Sequence, residues 1–78
     1  MSINQVNRDA RNYCEGDHCL IFVAEWLGSE YAISHAPINR WLPPFEGEII
    51  TEKDKQRILK NIGNFFDYYG DKYFFDDH

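Results

Sequence analysis

Cys14, His18 and Cys19 stand within six residues of one another, and thiolate and imidazole groups are what a zinc site is built from. Structural zinc takes four ligands, with Cys and His pairs spaced about two to five residues apart. Only one cysteine pair exists, with His35 as a further candidate ligand. If His18 and Cys19 share a strand, their side chains leave on opposite faces and cannot converge. The spacing therefore predicts no metal. Catalysis needs a nucleophile with a base in reach and a group to orient the base. His35 with Glu25 or Ser34 is the available combination, and the same alternation separates them. Neither G-x-S-x-G, a phosphate-cradling glycine loop nor H-E-x-x-H is present. No catalytic residue and no cofactor is expected.

Binding is better served. Arg40 and Trp41 are the residue types that anchor interfaces, and they share a proline-braced loop with Glu46 and Glu48. These four are the candidate binding residues. The alternative is that Trp41 is core, that Arg40 closes a salt bridge to Glu46 or Glu48, and that the two acids simply solvate a turn.

The elements that must hold this loop follow from periodicity. Ile58, Leu59, Ile62, Phe65, Phe66 and Tyr69 draw one stripe on a helix over Thr51–Tyr69. Thr51 and Asp54 are placed as a capping box, and Gly70 as the left-handed residue beyond the last turn. Before it, Asn12–Glu15 and His18–Trp26 read as strands joined by Gly16-Asp17, a two-residue hairpin tip. Leu27–Glu30 turns the chain into a third strand, Tyr31–His35. This pairing sets Cys14 opposite Cys19, Tyr13 opposite Leu20 and Ala24 opposite Ile33. One face then carries Tyr13, Leu20, Phe22, Ala24, Trp26, Tyr31 and Ile33, the natural seat for the helix. The other carries Cys14, Cys19, Ile21, Val23, Ala32 and Ser34, and is apolar enough to need some cover. The loop Ala36–Ile50 is the candidate cover, lying across the sheet or over one end. Lys72–Asp76 reads as a short fourth strand, parallel to the first or the third.

The expected fold is thus α+β: an antiparallel β-meander of three strands, a long loop, one amphipathic helix packed on the sheet, and a short fourth strand (β-β-β-α-β). Residues 1–9 are a polar N-terminal segment, either frayed or pinned at a sheet edge by Ile3 and Val6, and 10–78 form a single domain. Cys14 and Cys19 sit where a disulfide could close. However, MSINQVNRDA has no apolar signal segment, so a cytoplasmic protein with reduced thiols is expected. No apolar run approaches the ~20 residues that span a bilayer.

Thirteen acidic residues against eight basic ones give a net charge of −5, which repels nucleic acid and favours a basic partner. The run YCEGDHCLIFVAEWLGSEYAISHAPINRW, followed by PPFEGEIITEKDKQRILKNI, has an EGD…EW…INRW…PITE-like succession. In layout and acidity it resembles the small α+β immunity proteins of bacterial polymorphic toxin systems. The resemblance implies a cytoplasmic, non-enzymatic domain that neutralises a toxin by direct protein–protein contact, with no role for nucleic acid or membrane. The partner would be a toxin, basic in charge, and the chain a monomer or weak homodimer. Three other readings stand beside it. One is a phage- or mobile-element-encoded inhibitor or nucleic-acid mimic. Another is a small hydrolase or metal-dependent enzyme using His35 and nearby carboxylates, and the last is a subunit that dimerises through the smaller-residue face.

Overall fold

The computed structural model describes residues 1–76, so the last two residues of the expected 10–78 domain lie outside it. Its elements are β1 (Ser2–Gln5), β2 (Ala10–Glu15), β3 (His18–Trp26), β4 (Tyr31–Ser34), α1 (Glu52–Tyr68) and β5 (Tyr73–Asp76). They form one helix and a five-stranded mixed sheet in the order β1-β2-β3-β4-β5. Five strands replace the four expected. The additional one is β1, inside the polar 1–9 segment, which pairs antiparallel with β2 from Ser2 opposite Cys14 to Gln5 opposite Arg11. Its turn is built by Asn7, whose side-chain oxygen accepts from the Asp9 and Ala10 amides at 3.1 and 2.9 Å. Ile3 packs against the core while Val6 is exposed.

The hairpin registers are those expected, with Cys14 opposite Cys19, Tyr13 opposite Leu20 and Ala24 opposite Ile33. The last strand lies parallel to β4, with Tyr31 opposite Tyr73 and Ser34 opposite Asp76. Loop and helix together make the long crossover that a parallel pair demands.

The helix begins as its sequence dictates. Thr51 Oγ1 accepts from the Asp54 amide, and the Asp54 carboxylate accepts from the Thr51 amide, both at 3.1 Å. It ends at Gly70 with φ +73°. There the Gly70 amide donates to Asp67 O (3.1 Å) and the Asp71 amide to Phe66 O (3.0 Å), the pattern of a Schellman cap. Ile58, Ile62 and Phe66 are buried against Tyr13, Leu20, Phe22, Ala24 and Ile33. The helix therefore sits on the larger-residue face. Trp26 and Tyr69, assigned to that same apolar layer, instead lie beyond its end, half or more exposed. Gly63 lets α1 approach β5 closely, since a Cβ there would stand 2.8 Å from the Tyr73 hydroxyl.

Polar groups fasten the helix side to β2. Arg57 bonds Glu15 through two nitrogens, Nη2 to Oε1 and Nε to Oε2 (3.3 Å), and reaches Asp54 at 2.8 Å. Tyr13 donates to Glu15 (2.6 Å) and accepts from Asn61 (3.0 Å). Burial pushes the Tyr13 hydroxyl up to about 12, so it stays a donor at any ordinary pH.

The cysteines depart from expectation. Cys14 and Cys19 form a disulfide, with Cα atoms 4.1 Å apart. The residues flanking a two-residue tip make a hydrogen-bonded pair, so Cys14 and Cys19, one step further, are a non-hydrogen-bonded pair, the closest approach antiparallel strands offer. Strand geometry favours this bond, whereas the compartment expected from the N-terminal segment disfavours it. Among the described residues, no helix is long and apolar enough to cross a membrane.

Candidate functional site

The loop between β4 and α1 lies over one end of the sheet, on the same side as the helix. On the smaller-residue face, Ala32 is buried and Cys14, Cys19, Ile21 and Val23 are part-buried. The loop seals the core with Ile38 and Trp41, which join Leu20, Phe22 and Ile58 in one cluster. Short turns stiffen it. The Ile38 amide donates to His35 O, the Phe45 amide to Leu42 O and the Glu48 amide to Phe45 O, at 3.0–3.1 Å. The Leu42 amide reaches down to Cys19 O at 2.7 Å, tying the loop to β3. A cis Pro43–Pro44 peptide lies between these ties.

His18 is the post on which the loop rests. It shares the core-facing phase of β3 with Leu20 and Phe22, so its ring rises beneath the loop. Phe45 stacks on it with centroids 3.7 Å apart, and Trp41 meets it edge-on at 5.2 Å. Nδ1 faces Asp17 at 3.2 Å and Nε2 faces Glu48 at 3.1 Å. Partial desolvation pulls the imidazole's pKa down, but the bonds to Glu48 and Asp17 outweigh it, and the ring titrates above its ordinary 6.5. The protonated ring is then the tie between β3 and the loop.

This geometry sorts the four candidate binding residues. Trp41 is only 5% exposed; it is a core residue and offers no anchor to a partner, which corrects its assignment. Glu48 is engaged by His18. Arg40 and Glu46 are exposed, and no salt bridge joins Arg40 to either glutamate among the described residues. Arg40 instead pairs through its backbone with Ile49 in an isolated antiparallel bridge.

That bridge exposes what sequence reasoning missed. Ile49 is 83% exposed, and directly opposed residues project to one side, so an isoleucine and an arginine stand together on the surface. Glu46 and Glu48 belong to the same turn. Ile49 and Ile50 are neighbours on an extended segment and cannot both face inward. Ile50 packs on the core and Ile49 points out. Leu42 is also partly exposed. The arrangement presents an apolar and a cationic anchor beside carboxylates, on a backbone fixed from below. Among the described residues, no three His, Cys, Asp or Glu side chains converge where a metal ion could sit.

No protein-family model, no curated protein and no solved structure matches this chain.

Proposed function

We propose that this chain is a small acidic binding module that neutralises a basic protein by direct contact, as an immunity protein does its toxin, through the surface of loop 36–50. The observation that carries the reading is Ile49, largely exposed and set across from Arg40 on a loop braced by Trp41, Phe45 and His18. An exposed isoleucine on a mobile strand would be a solubility fault. On a preorganised loop it is a low-entropy anchor. The acids around it, within a net charge of −5, raise the association rate with a basic surface more than they raise affinity.

The test is co-expression with the product of the adjacent gene, followed by association kinetics at two ionic strengths. Ile49→Lys should leave the melting temperature nearly unchanged, because the side chain touches little, and should abolish protection. Glu46→Lys should slow association roughly tenfold at low salt, with the difference shrinking as salt screens it. Full protection by Ile49→Lys together with salt-independent kinetics would remove the loop from the interface. A wild-type chain that neither binds nor protects against any neighbouring product would remove the immunity reading itself.

A further inference from the structure

We propose that two copies of this chain associate edge to edge through β5, antiparallel about a two-fold axis at Phe74, so that one sheet runs continuously through both. The Tyr31 and His35 amides donate to the carbonyls of Lys72 (2.9 Å) and Asp76 (3.4 Å). In a parallel ladder with that phase, Lys72, Phe74 and Asp76 turn their carbonyls towards β4. Tyr73 and Phe75 turn both N–H and C=O outward. Among the described residues no strand lies beyond β5, and Phe74 and Phe75 are 40% and 37% exposed. An open edge of this kind is a template for another strand.

The sequence of β5 selects which strand. An antiparallel partner must set its own outward-facing residues against Tyr73 and Phe75. Centring the pair on Phe74 does so, with each Tyr73 opposite the second copy's Phe75. On the smaller-residue face, Phe74 then meets Phe74, and each Lys72 meets the other copy's Asp76 across a non-hydrogen-bonded pair, where side chains come closest. Asp76 also interacts within its own chain; its charge on this face is what the pairing uses. Centring on Tyr73 would instead set Lys72 against Phe74, and centring on Phe75 would set Asp76 against Phe74. Only the Phe74-centred register matches both charge and aromatic character, and it does so with the strand's own sequence. The same operation brings the two chains' Tyr73 and Phe75 together on the helix side. It thereby closes the outer flank of a groove of about 310 Å³ between α1 and β5, floored by Leu59 and Gly63. The pairing needs neither the loop nor any toxin.

Sedimentation equilibrium of the whole chain, at concentrations up to about 1 mM, reads the association directly. Lys72→Glu and Asp76→Lys, each folded by circular dichroism, should each weaken self-association about tenfold or more, since symmetry makes both cross-strand pairs repulsive at once. Mixing the two variants should restore a dimer, a heterodimer, because every charge then faces its opposite. Phe74→Lys should be monomeric, and the Tyr73 and Phe75 amides should exchange faster in it than in the wild type. A wild-type chain monomeric throughout this range would overturn the proposal. So would a dimer that Lys72→Glu and Phe74→Lys leave unchanged.

Discussion

The helix stripe contains two aromatic residues that periodicity treats alike and the structure treats differently, and their truncation separates the two descriptions. Phe66 is 1% exposed, with its ring 5.1 Å from Tyr31 and 5.9 Å from Tyr73, and the Arg11 guanidinium 5.6 Å from its centroid. Phe66→Ala removes a buried aromatic and leaves a cavity, which costs about 3–5 kcal/mol. A 78-residue domain holds about 4–12 kcal/mol in total. At this size 1 kcal/mol moves the midpoint by about 4–8 °C, so a fall of about 12–40 °C is expected, or outright unfolding at the lower end of stability. Tyr69 lies one turn further on, 62% exposed, and touches Phe65 and Tyr68 at about 5 Å between centroids. Tyr69→Ala should cost under about 1.5 kcal/mol, the worth of those ring contacts. Thermal melts followed by circular dichroism, supported by urea titrations to fix the slope, would measure both. Equal shifts at the two positions would refute the placement of the helix end and the seat of Phe66 between Tyr31 and Tyr73.

The disulfide closes a ring of six residues, Cys14 to Cys19, so loop entropy assigns it about 2 kcal/mol; melts with and without reductant, beside thiol titration, should show that loss, and an unshifted midpoint with two titratable thiols in the untreated protein would contradict the bond. Because the His18 pKa is raised above 6.5, its ties to Glu48 and Asp17 contribute fully below that pH and are lost as pH rises through the raised value. Unfolding free energy measured across that window should fall, and Glu48→Gln should flatten the fall. At Glu15, desolvation raises the pKa, but bonds from Arg57 and Tyr13 outweigh it and hold the carboxyl below 4.5. Its contribution is therefore complete above that pH and lost as pH falls through the lowered value, and Glu15→Gln should be less stable at neutrality while losing less on acidification.

The elements with a long periodic pattern were legible in the chain. The stripe of Ile58, Ile62 and Phe66 needs no neighbour to be read, nor does the Thr51–Asp54 cap, and Gly16-Asp17 fixed the hairpin register by itself. β1 could not be read that way, because SINQ has no alternating apolar set; its place comes from backbone pairing and from the Asn7 turn. The loop defeated periodicity for a related reason. Trp41 faces inward because its ring meets His18 edge-on and joins Leu20, Phe22 and Ile58 in the core, and those partners come from β3 and α1, distant in sequence. Ile49 was detectable in principle, as one of two adjacent apolar residues of which only one could be buried. The disulfide was legible as geometry, and compartment reasoning set it aside.

The contact between Gly63 and Tyr73 ties two positions into one heritable unit. A glycine inside a helix costs roughly 0.5–1 kcal/mol relative to alanine, and here it accommodates a hydroxyl that an alanine methyl would meet at 2.8 Å. Drift at position 63 is hindered for as long as the Tyr73 hydroxyl is present. Gly63→Ala would displace the tyrosine from its bond to Asp67, whereas loss of the hydroxyl first would open the way for alanine. In descendants of this sequence the two sites should change in that order, tyrosine to phenylalanine before glycine to alanine. A lineage carrying alanine at 63 beside an intact Tyr73 would have to show a shifted helix or a turned ring.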